Sequence, residues 1–154
     1  MVQIREATLD DIPFITTLFR DTVTHVNAKD YSDKQIQLWA SDALDFPKWE
    51  QRIKKSYFIV AEIKDAIVGF AFLSNGHIFD GLFVHKDHLR RGIGIKLMRI
   101  IESQALSTGY ESIKADVSIT ALPFFEDQYY TVEKRQKKNY KGLAFENYIV
   151  SKEL

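Results

Sequence analysis

The stretch from residue 88 to residue 97 reads HLRRGIGIKL and joins an apolar strand pattern to an apolar helix pattern. Two glycines follow two arginines directly before the predicted helix. The first N–H groups of a helix have no backbone partner and carry partial positive charge, so glycines at this point leave room for an anion. The same pattern also occurs in tight turns with solvated arginines. The stretch alone therefore leaves a phosphate cradle and a simple turn as alternatives.

Upstream of this turn, the sequence predicts two helices and several strands. A short strand, a turn and an amphipathic helix are predicted within residues 2–23, and Ser32 is expected to cap a second helix. The runs SYFIVAEI and AIVGFAFL are rich in β-branched and aromatic residues and meet at Lys64 and Asp65, which is typical of a hairpin. The run IFDGLFV predicts the next strand.

Downstream of the turn, an apolar helix pattern ends at Gly109, and SIKADV predicts a buried strand. ITALPFFEDQ predicts a short helix, and two further strands are expected around Thr131 to Gln136 and Ala144 to Val150. Hairpins at both ends and one strand–helix–strand crossover in the middle predict a mixed α/β fold. We expect a single domain over residues 1–154.

The composition argues against several classes of protein. With 21 basic and 21 acidic residues, the chain has no overall field that would attract nucleic acid or an anionic membrane. The absence of cysteine excludes disulfides, thiol nucleophiles and cysteine-based metal sites, and it favours a cytoplasmic location. The longest apolar runs are too short to cross a bilayer, and the polar N-terminus lacks a signal-peptide pattern.

Two common phosphate-binding motifs do not fit the turn. A P-loop needs lysine and then serine or threonine after its second glycine, but Gly94 is followed by Ile95 and Lys96. A dinucleotide-binding fold needs a third glycine and an acidic residue at the end of the next strand. The remaining interpretation is a phosphate-binding turn in the middle of a small mixed sheet.

Segments along the whole chain resemble the GNAT superfamily of N-acetyltransferases. IREATLDDI resembles the first strand and helix of that family, IVGFAFL its third strand, and LFVHKDHLRRGIGIKLM its acetyl-CoA motif. SITALPFFEDQYY is similar to its second CoA-contacting motif, while DYSDKQIQLWA and KGLAFENYIVSKEL resemble the YafP-like bacterial branch. The resemblance implies a mostly antiparallel central sheet with helices on both faces. It also implies an enzyme that transfers an acetyl group from acetyl-CoA to an amine by direct attack in a ternary complex, without a metal.

The resemblance implies a set of cofactor contacts: Leu82, Phe83, Val84, Arg90, Arg91, Gly92, Ile93, Gly94, Ile95, Ser118 and Phe125. Backbone N–H groups from Arg91 to Ile95 would hold the pyrophosphate, and the two arginines would add positive charge. The pantetheine arm would pair with the strand edge near Leu82 to Val84 like an added strand.

The sequence and the resemblance offer candidates for two catalytic roles, a base and an acid. Asp80 lies in an otherwise apolar strand, where a buried carboxylate is costly unless it is paired or used, so it is the first candidate for the base that deprotonates the amine. The alternative is a strand bulge beside Gly81 that points Asp80 to water. His77, after Asn-Gly, is a weaker candidate. Many family members have a tyrosine acid where this chain has Phe125, and Tyr129 would replace it if the helix continues that far.

The resemblance places the acceptor beneath the segment that contains His25, Tyr31 and Trp39, although aromatic residues at helical spacing are more often core residues. The implied partner is a small-molecule or peptide amine, and a homodimer is compatible with it. The basic run KRQKK at residues 134–138 would suit nucleic acid, but a lysine-protected strand edge explains it better. Leu89 and Phe125 depart from the family pattern, which leaves a non-catalytic acyl-CoA-binding module as the alternative function.

Overall fold

The computed structural model describes residues 1–154 and contains one sheet of seven strands. In chain order the strands are β1 (Gln3–Glu6), β2 (Tyr57–Ile63), β3 (Ala66–Ser74), β4 (Ile78–Val84), β5 (Ser112–Ser118), β6 (Thr131–Tyr140) and β7 (Leu143–Glu153). Their order across the sheet is β1-β2-β3-β4-β5-β7-β6, and every neighbouring pair is antiparallel except β4 and β5. The mixed, mostly antiparallel sheet expected from the sequence is confirmed.

Five α-helices accompany the sheet: α1 (Ile12–His25), α2 (Asp33–Ala40), α3 (Phe46–Lys55), α4 (Ile93–Ser107) and α5 (Leu122–Asp127). Four of them match the predicted helices, and α3 was not predicted. Its start carries two local signals, because the Asp45 side chain accepts a hydrogen bond from the Lys48 N–H at 3.3 Å and Pro47 lies in the first turn. Trp49, with no exposed surface, anchors α3 to the sheet. No helix has the length and apolar character required to cross a membrane.

The sheet carries a hydrophobic core on each face. Along β2, Ile59 packs with the α4 residues Leu97 and Ile101, whereas Val60 packs with residues of α1 and α3. Successive side chains of a strand point to opposite faces, so the two clusters lie on opposite sides of the sheet. We call these sides the α4 face and the α1 face. On β5, Ile113, Ala115 and Val117 belong to the α4 core, so Lys114, Asp116 and Ser118 point to the α1 face.

The sheet opens between β4 and β5. These two parallel strands are in register only where Ile78 lies opposite Lys114, whose N–H donates to the His77 carbonyl at 3.0 Å. Beyond this point both strands continue, to Val84 and to Ser118, without pairing to each other. We call this gap the β4–β5 cleft. Because the carboxyl ends of parallel strands lie at the same end of a sheet, the starts of α4 and α5 flank the mouth of the cleft.

A bulge in β4 accompanies the opening. Phe72 of β3 lies opposite Gly81, but the next residue, Leu73, lies opposite Phe79, so Asp80 is the extra residue. A bulge bends its strand and increases the local twist. This bulge lies just beyond Ile78, the residue of β4 that is paired with β5, and so coincides with the point where the two strands separate.

The last two strands are longer than the sequence predicted. β6 continues through Tyr140, and a turn at Lys141 and Gly142, both at positive φ, connects it to β7. The polar residues of β6 do not alternate with apolar ones, because β6 is an edge strand with solvent on most of its surface. The KRQKK run lies within this edge strand. Arg135 pairs with Glu146 and Lys138 pairs with Asp116, so two of its cations are already neutralised.

Candidate active site

The turn before α4 presents a row of free backbone donors. Gly92 is the N-cap of α4 at φ 79°, and Arg90 is also left-handed at φ 63°. The first helical hydrogen bond is donated by Lys96 to the Gly92 carbonyl, so the N–H groups from Arg91 to Ile95 have no partner in the protein. A Cβ at Gly92 would meet no protein atom within 4 Å. The turn is therefore an open cradle of N–H groups with exposed arginines, a geometry that suits an anion.

The second glycine of the turn has a packing role. A Cβ at Gly94 would lie 3.3 Å from the Phe124 ring and 3.7 Å from Val84, so glycine lets α4 approach α5 and the end of β4. Phe124 was not among the residues predicted from the sequence. The predicted contact, Phe125, is 4% exposed and packs against Phe79 in the α4 core. The assignment of Phe125 as a cofactor contact is corrected, because its side chain is buried in the α4 core and Phe124 is the α5 ring that lies next to Gly94.

The end of β4 offers an edge to the cleft. Leu82 and Val84 pack partly against the α4 core, while the Phe83 ring lies 5.0 Å from Phe70 on the α1 face. Pairing with β3 uses one edge of this segment, and the other edge has no strand beside it. An extended molecule can pair with such an edge. Of the residues predicted from Leu82 to Ile95, the Ile93 side chain is buried in the α4 core at 3% exposed, so only its backbone N–H is available to the cradle.

A cavity of about 370 Å³ lies on the α1 face beside the second half of β5. Its walls come from four segments of the chain: the α1–α2 connection, α2 with the turn after it, the end of β5, and the β6–β7 hairpin. The lining residues are Tyr31, Trp39, Asp42, Asp116, Ser118, Lys138, Asn139, Tyr140, Phe145 and Asn147. Two of the three predicted acceptor residues, Tyr31 and Trp39, are therefore in its wall. Ser118, predicted near the pantetheine arm, lies where the cavity meets the cleft.

Tyr31 is a fixed part of the wall. Its hydroxyl donates to the Glu146 carbonyl at 2.8 Å and accepts from the Ile119 N–H at 3.0 Å, and burial raises its pKa. Its ring contacts Trp39 and Phe145 at centroid distances of 5.5 and 6.0 Å. The hydroxyl thus donates one hydrogen bond and accepts one, both with backbone groups. Tyr31 therefore links the end of β5 to β7 and forms a fixed part of the cavity wall.

His25 does not belong to the cavity. It is exposed at the end of α1, and its Nδ1 lies 2.9 Å from the Asp21 carbonyl oxygen of the same helix. The α1–α2 connection carries Tyr31 towards the sheet but leaves His25 on the outer surface. The predicted acceptor role of His25 is therefore corrected.

The sequence did not indicate the polar part of the cavity. Asp42 is 8% exposed, and it accepts hydrogen bonds from the Tyr140 hydroxyl at 2.5 Å and from Lys48 Nζ at 3.3 Å. Burial and the bond to Asp42 raise the pKa of Tyr140 to about 12. Asn147 Oδ1 is buried and has no hydrogen-bond partner in the protein. An unpaired acceptor in a cavity wall is a favourable position for an N–H group of a ligand.

Asp80 occupies the bulge of β4 and is exposed, with its carboxylate accepting a hydrogen bond from Ser74 Oγ at 3.0 Å. The expectation of a buried carboxylate was wrong, and the alternative, a bulge residue beside Gly81 open to water, describes the structure. The position still places Asp80 at the edge of the cleft. His77 directly precedes β4, three residues before Asp80, and its ring stacks on Tyr110 at 4.8 Å.

Tyr129 lies away from the cleft. Helix α5 ends at Asp127, and Tyr129 is 78% exposed in a left-handed turn at φ 72°, with Lys152 Nζ 6.0 Å from its ring. Lys152 lies opposite Ile113 at the start of β5, five residues or about 16 Å from Ser118. Tyr129 was expected to replace a tyrosine at position 125 only if α5 continued as far as residue 129. The helix ends before that residue, so the structure does not support this role.

Comparisons with known proteins show which proteins this chain is similar to. A family model described as "Acetyltransferase (GNAT) domain" matches residues 27–152. The chain is 32% identical over 150 residues to the "Uncharacterized N-acetyltransferase YafP" of Escherichia coli (strain K12), covering 97% of this chain and 94% of the relative.

Solved structures share the whole fold. A GCN5-related N-acetyltransferase from Rhodopseudomonas palustris is similar with a TM-score of 0.96 and 28% identity, covering 99% of this chain and 95% of the other. The PaiA N-acetyltransferase of Thermoplasma acidophilum, solved in complex with coenzyme A, gives a TM-score of 0.82 at 17% identity, with 100% and 99% covered. YncA of Salmonella typhimurium, described as a putative acetyltransferase with acetyl-CoA, gives 0.67 at 16% identity, with 99% and 94% covered.

Proposed function

Because the chain belongs to the GNAT family of acetyltransferases, it is an acyltransferase, and we propose that it transfers an acetyl group from acetyl-CoA to an amine that binds in the cavity on the α1 face. The observation that carries the proposal is the β4–β5 cleft, which joins an anion cradle at one end to a cavity with polar groups on the α1 face. A two-substrate transfer needs such an arrangement, since both reactants must be held together.

The cradle fits the diphosphate of acetyl-CoA. Free N–H groups from Arg91 to Ile95 face an opening with no side chain at Gly92, and Arg90 adds a cation beside them. The pantetheine arm would follow the free edge of β4 from Val84 into the cleft. When bound, acetyl-CoA supplies the activated thioester.

The amine must lose a proton before it attacks, because a free alkyl amine is mostly charged at neutral pH. We assign this proton to Asp80, directly or through water. Asp80 is an exposed residue of β4, the strand that borders the cleft, and the Asp116 and Ser118 side chains of the facing strand point to the α1 face. The buried Asn147 Oδ1 would accept one of the remaining N–H groups of the acceptor.

The thiolate product leaves without help from Tyr129. A CoA thiol has a pKa near that of cysteine, about 8.5, so its anion is a fair leaving group. We expect Tyr129→Phe to release thiol at the parent rate from pH 6 to pH 9, because this side chain is exposed at the far end of β5. Steady-state assays over that range test this. A tyrosine acid is protonated throughout this range, so a clear rate loss in Tyr129→Phe that is already present at pH 6 would restore Tyr129 as the acid.

Two measurements test the function as a whole. Thermal shift with acetyl-CoA and with CoA reports binding, and thiol release with a panel of amines, amino acids and aminoglycosides reports turnover. Binding without turnover for any acceptor would favour the alternative, a non-catalytic acyl-CoA-binding module. Turnover that requires an amine excludes that alternative.

The proposal extends to the partners and the cellular location of the enzyme. A small-molecule or peptide amine suits the size of the cavity, and a cytoplasmic location suits the lack of cysteine. The ion pairs of Arg135 and Lys138 support a structural role for the KRQKK run over nucleic-acid binding. The cleft and the cavity are complete within one chain, so catalysis would not require a homodimer.

A further inference from the structure

Arg52 of α3 is a half-buried arginine without a protein partner. Its guanidinium carbon lies 4.5 Å from the centroid of the Trp49 ring and 5.4 Å from that of Phe72, and the side chain makes no hydrogen bond or ion pair with the protein. Both rings are almost completely buried, at 0% and 2% exposed. Contact with ring faces uses the flat sides of a guanidinium and leaves its N–H edges free.

The other arginines that approach carboxylates behave differently. Arg5 bonds to Asp11 and Glu62 at 2.8 Å, and Arg99 bonds to Glu102 at 2.8 Å. A cation removed from water without a hydrogen-bonded partner is costly, so an unpaired guanidinium is unusual where the fold could have paired it. Burial lowers the pKa of Arg52, and the nearby charges of Asp80 and Asp42 act in the opposite direction without direct contact.

The position of Arg52 connects it to the cleft. The Phe72 ring beneath it belongs to the residue opposite Gly81, directly beside the bulge of β4. One helical turn earlier on α3, Lys48 contacts Asp42 and lies 5.4 Å from the Tyr140 ring, both in the cavity wall. Residues four apart on a helix share a face, so Arg52 lies on the α1 face between the bulge and the cavity.

We propose that Arg52 binds a carboxylate of the acceptor, so that the acceptor is an amine that also carries a carboxylate, such as an amino acid. The fork of N–H groups matches a carboxylate in two parallel hydrogen bonds, and the aromatic contacts hold the fork in place. The acidic groups at the bulge and in the cavity then lie on the side where the amine of the same molecule would bind. This assignment rests on the proposed function, because it names the acceptor class of the same site.

Matched acceptor pairs test the assignment. Phenylalanine is compared with phenethylamine, lysine with cadaverine, and phosphoethanolamine with ethanolamine, by thiol release and by calorimetry in the presence of CoA. We expect the parent protein to prefer the carboxylated member of at least one pair. Arg52→Gln should raise KM for that acceptor by about 10- to 100-fold and leave KM for acetyl-CoA and turnover of the decarboxylated amine unchanged.

Two further variants separate recognition from stability. Arg52→Lys keeps the cation but loses the fork, so it should lose part of the preference while remaining folded. Arg20→Gln is the matched control. Arg20 is an exposed residue of α1 whose only ion-pair partner is Asp21, so this substitution should change neither the KM for the acceptor nor the KM for acetyl-CoA.

The outcomes distinguish this inference from the proposed function. Equal binding of both members of the carboxylate pairs, or an unchanged preference in Arg52→Gln, overturns the role of Arg52 even if the enzyme turns over. A preference that appears only for phosphoethanolamine also overturns the carboxylate assignment. Conversely, carboxylate-dependent binding that Arg52→Gln abolishes, without turnover of any acceptor, would support Arg52 and contradict the proposed acetyl transfer.

Discussion

Gly92→Val is expected to abolish measurable acetyl-CoA binding while the protein remains folded. Gly92 has φ 79°, a conformation that a β-branched residue adopts only with strain of about 1–3 kcal/mol. No protein atom lies within 4 Å of the added Cβ, so the fold has room for it, and the loop can relieve the strain by moving. Movement of the loop would turn the free N–H groups away from the phosphates. A strain of about 3 kcal/mol, if binding had to restore the original loop conformation, corresponds by itself to about 100-fold in affinity.

Gly109→Val is the matched control, since Gly109 has φ 98° and also has no protein atom within 4 Å of a Cβ. It lies beyond the opposite end of α4, so valine there introduces the same kind of strain far from the cradle. Calorimetry with acetyl-CoA and thermal unfolding are measured on both variants. Parent affinity in a folded Gly92→Val protein, or an equal loss in Gly109→Val, would contradict the cradle assignment.

Asp80→Asn is expected to lower turnover by about 10²- to 10⁴-fold, the usual contribution of a general base, with little change in acetyl-CoA affinity. The loss should be largest at low pH, where the amine is most fully protonated. Above about pH 9, the free amine becomes abundant because its unperturbed pKa is near 10, and the variant should partly recover. The pH profile of kcat/KM for the amine, from pH 6 to pH 10, measures this difference.

Asp65→Asn is the control for this charge change, because Asp65 is an exposed residue of the β2–β3 turn, at a positive φ that asparagine also tolerates. It should leave the profile unchanged. If Asp80 only stabilises the bulge through its hydrogen bond with Ser74, Asp80→Asn would lower the melting temperature but leave the turnover per folded molecule unchanged. That pair of results would remove Asp80 from the mechanism.

The turn of residues 88–97 illustrates what local sequence determines. The apolar strand run before it, the helical spacing after it and the glycines between them are properties of neighbouring residues, so the strand, the glycine turn and α4 were predicted with the correct order and type. The hairpin at Lys64 and Asp65 was predicted for the same reason, and both residues have the positive φ of such a turn.

The roles of single side chains required the tertiary structure. The exposure of Asp80 depended on the pairing of β3 with β4. The sequence left a buried carboxylate and a bulge beside Gly81 as alternatives, and the pairing places the bulge at Asp80. The choice between Phe124 and Phe125 depended on which side of α5 faces Gly94, and the fate of Tyr129 depended on where that helix ends.

The cavity and the contacts of Arg52 also could not be predicted from the sequence. Asp42, Tyr140 and Asn147 are distant along the chain and meet only because α2 and the β6–β7 hairpin both pack beside β5. Arg52 became informative only when its contacts with Trp49 and Phe72 were known, since an arginine in a helix is ordinarily solvated. The sequence by itself determined the strands, four of the five helices, the fold class and the glycine turn before α4, because these depend on local backbone preferences and periodicity. The tertiary structure decided the cavity that we propose as the acceptor site, because its residues are brought together by strand pairing and helix packing across long separations in the chain.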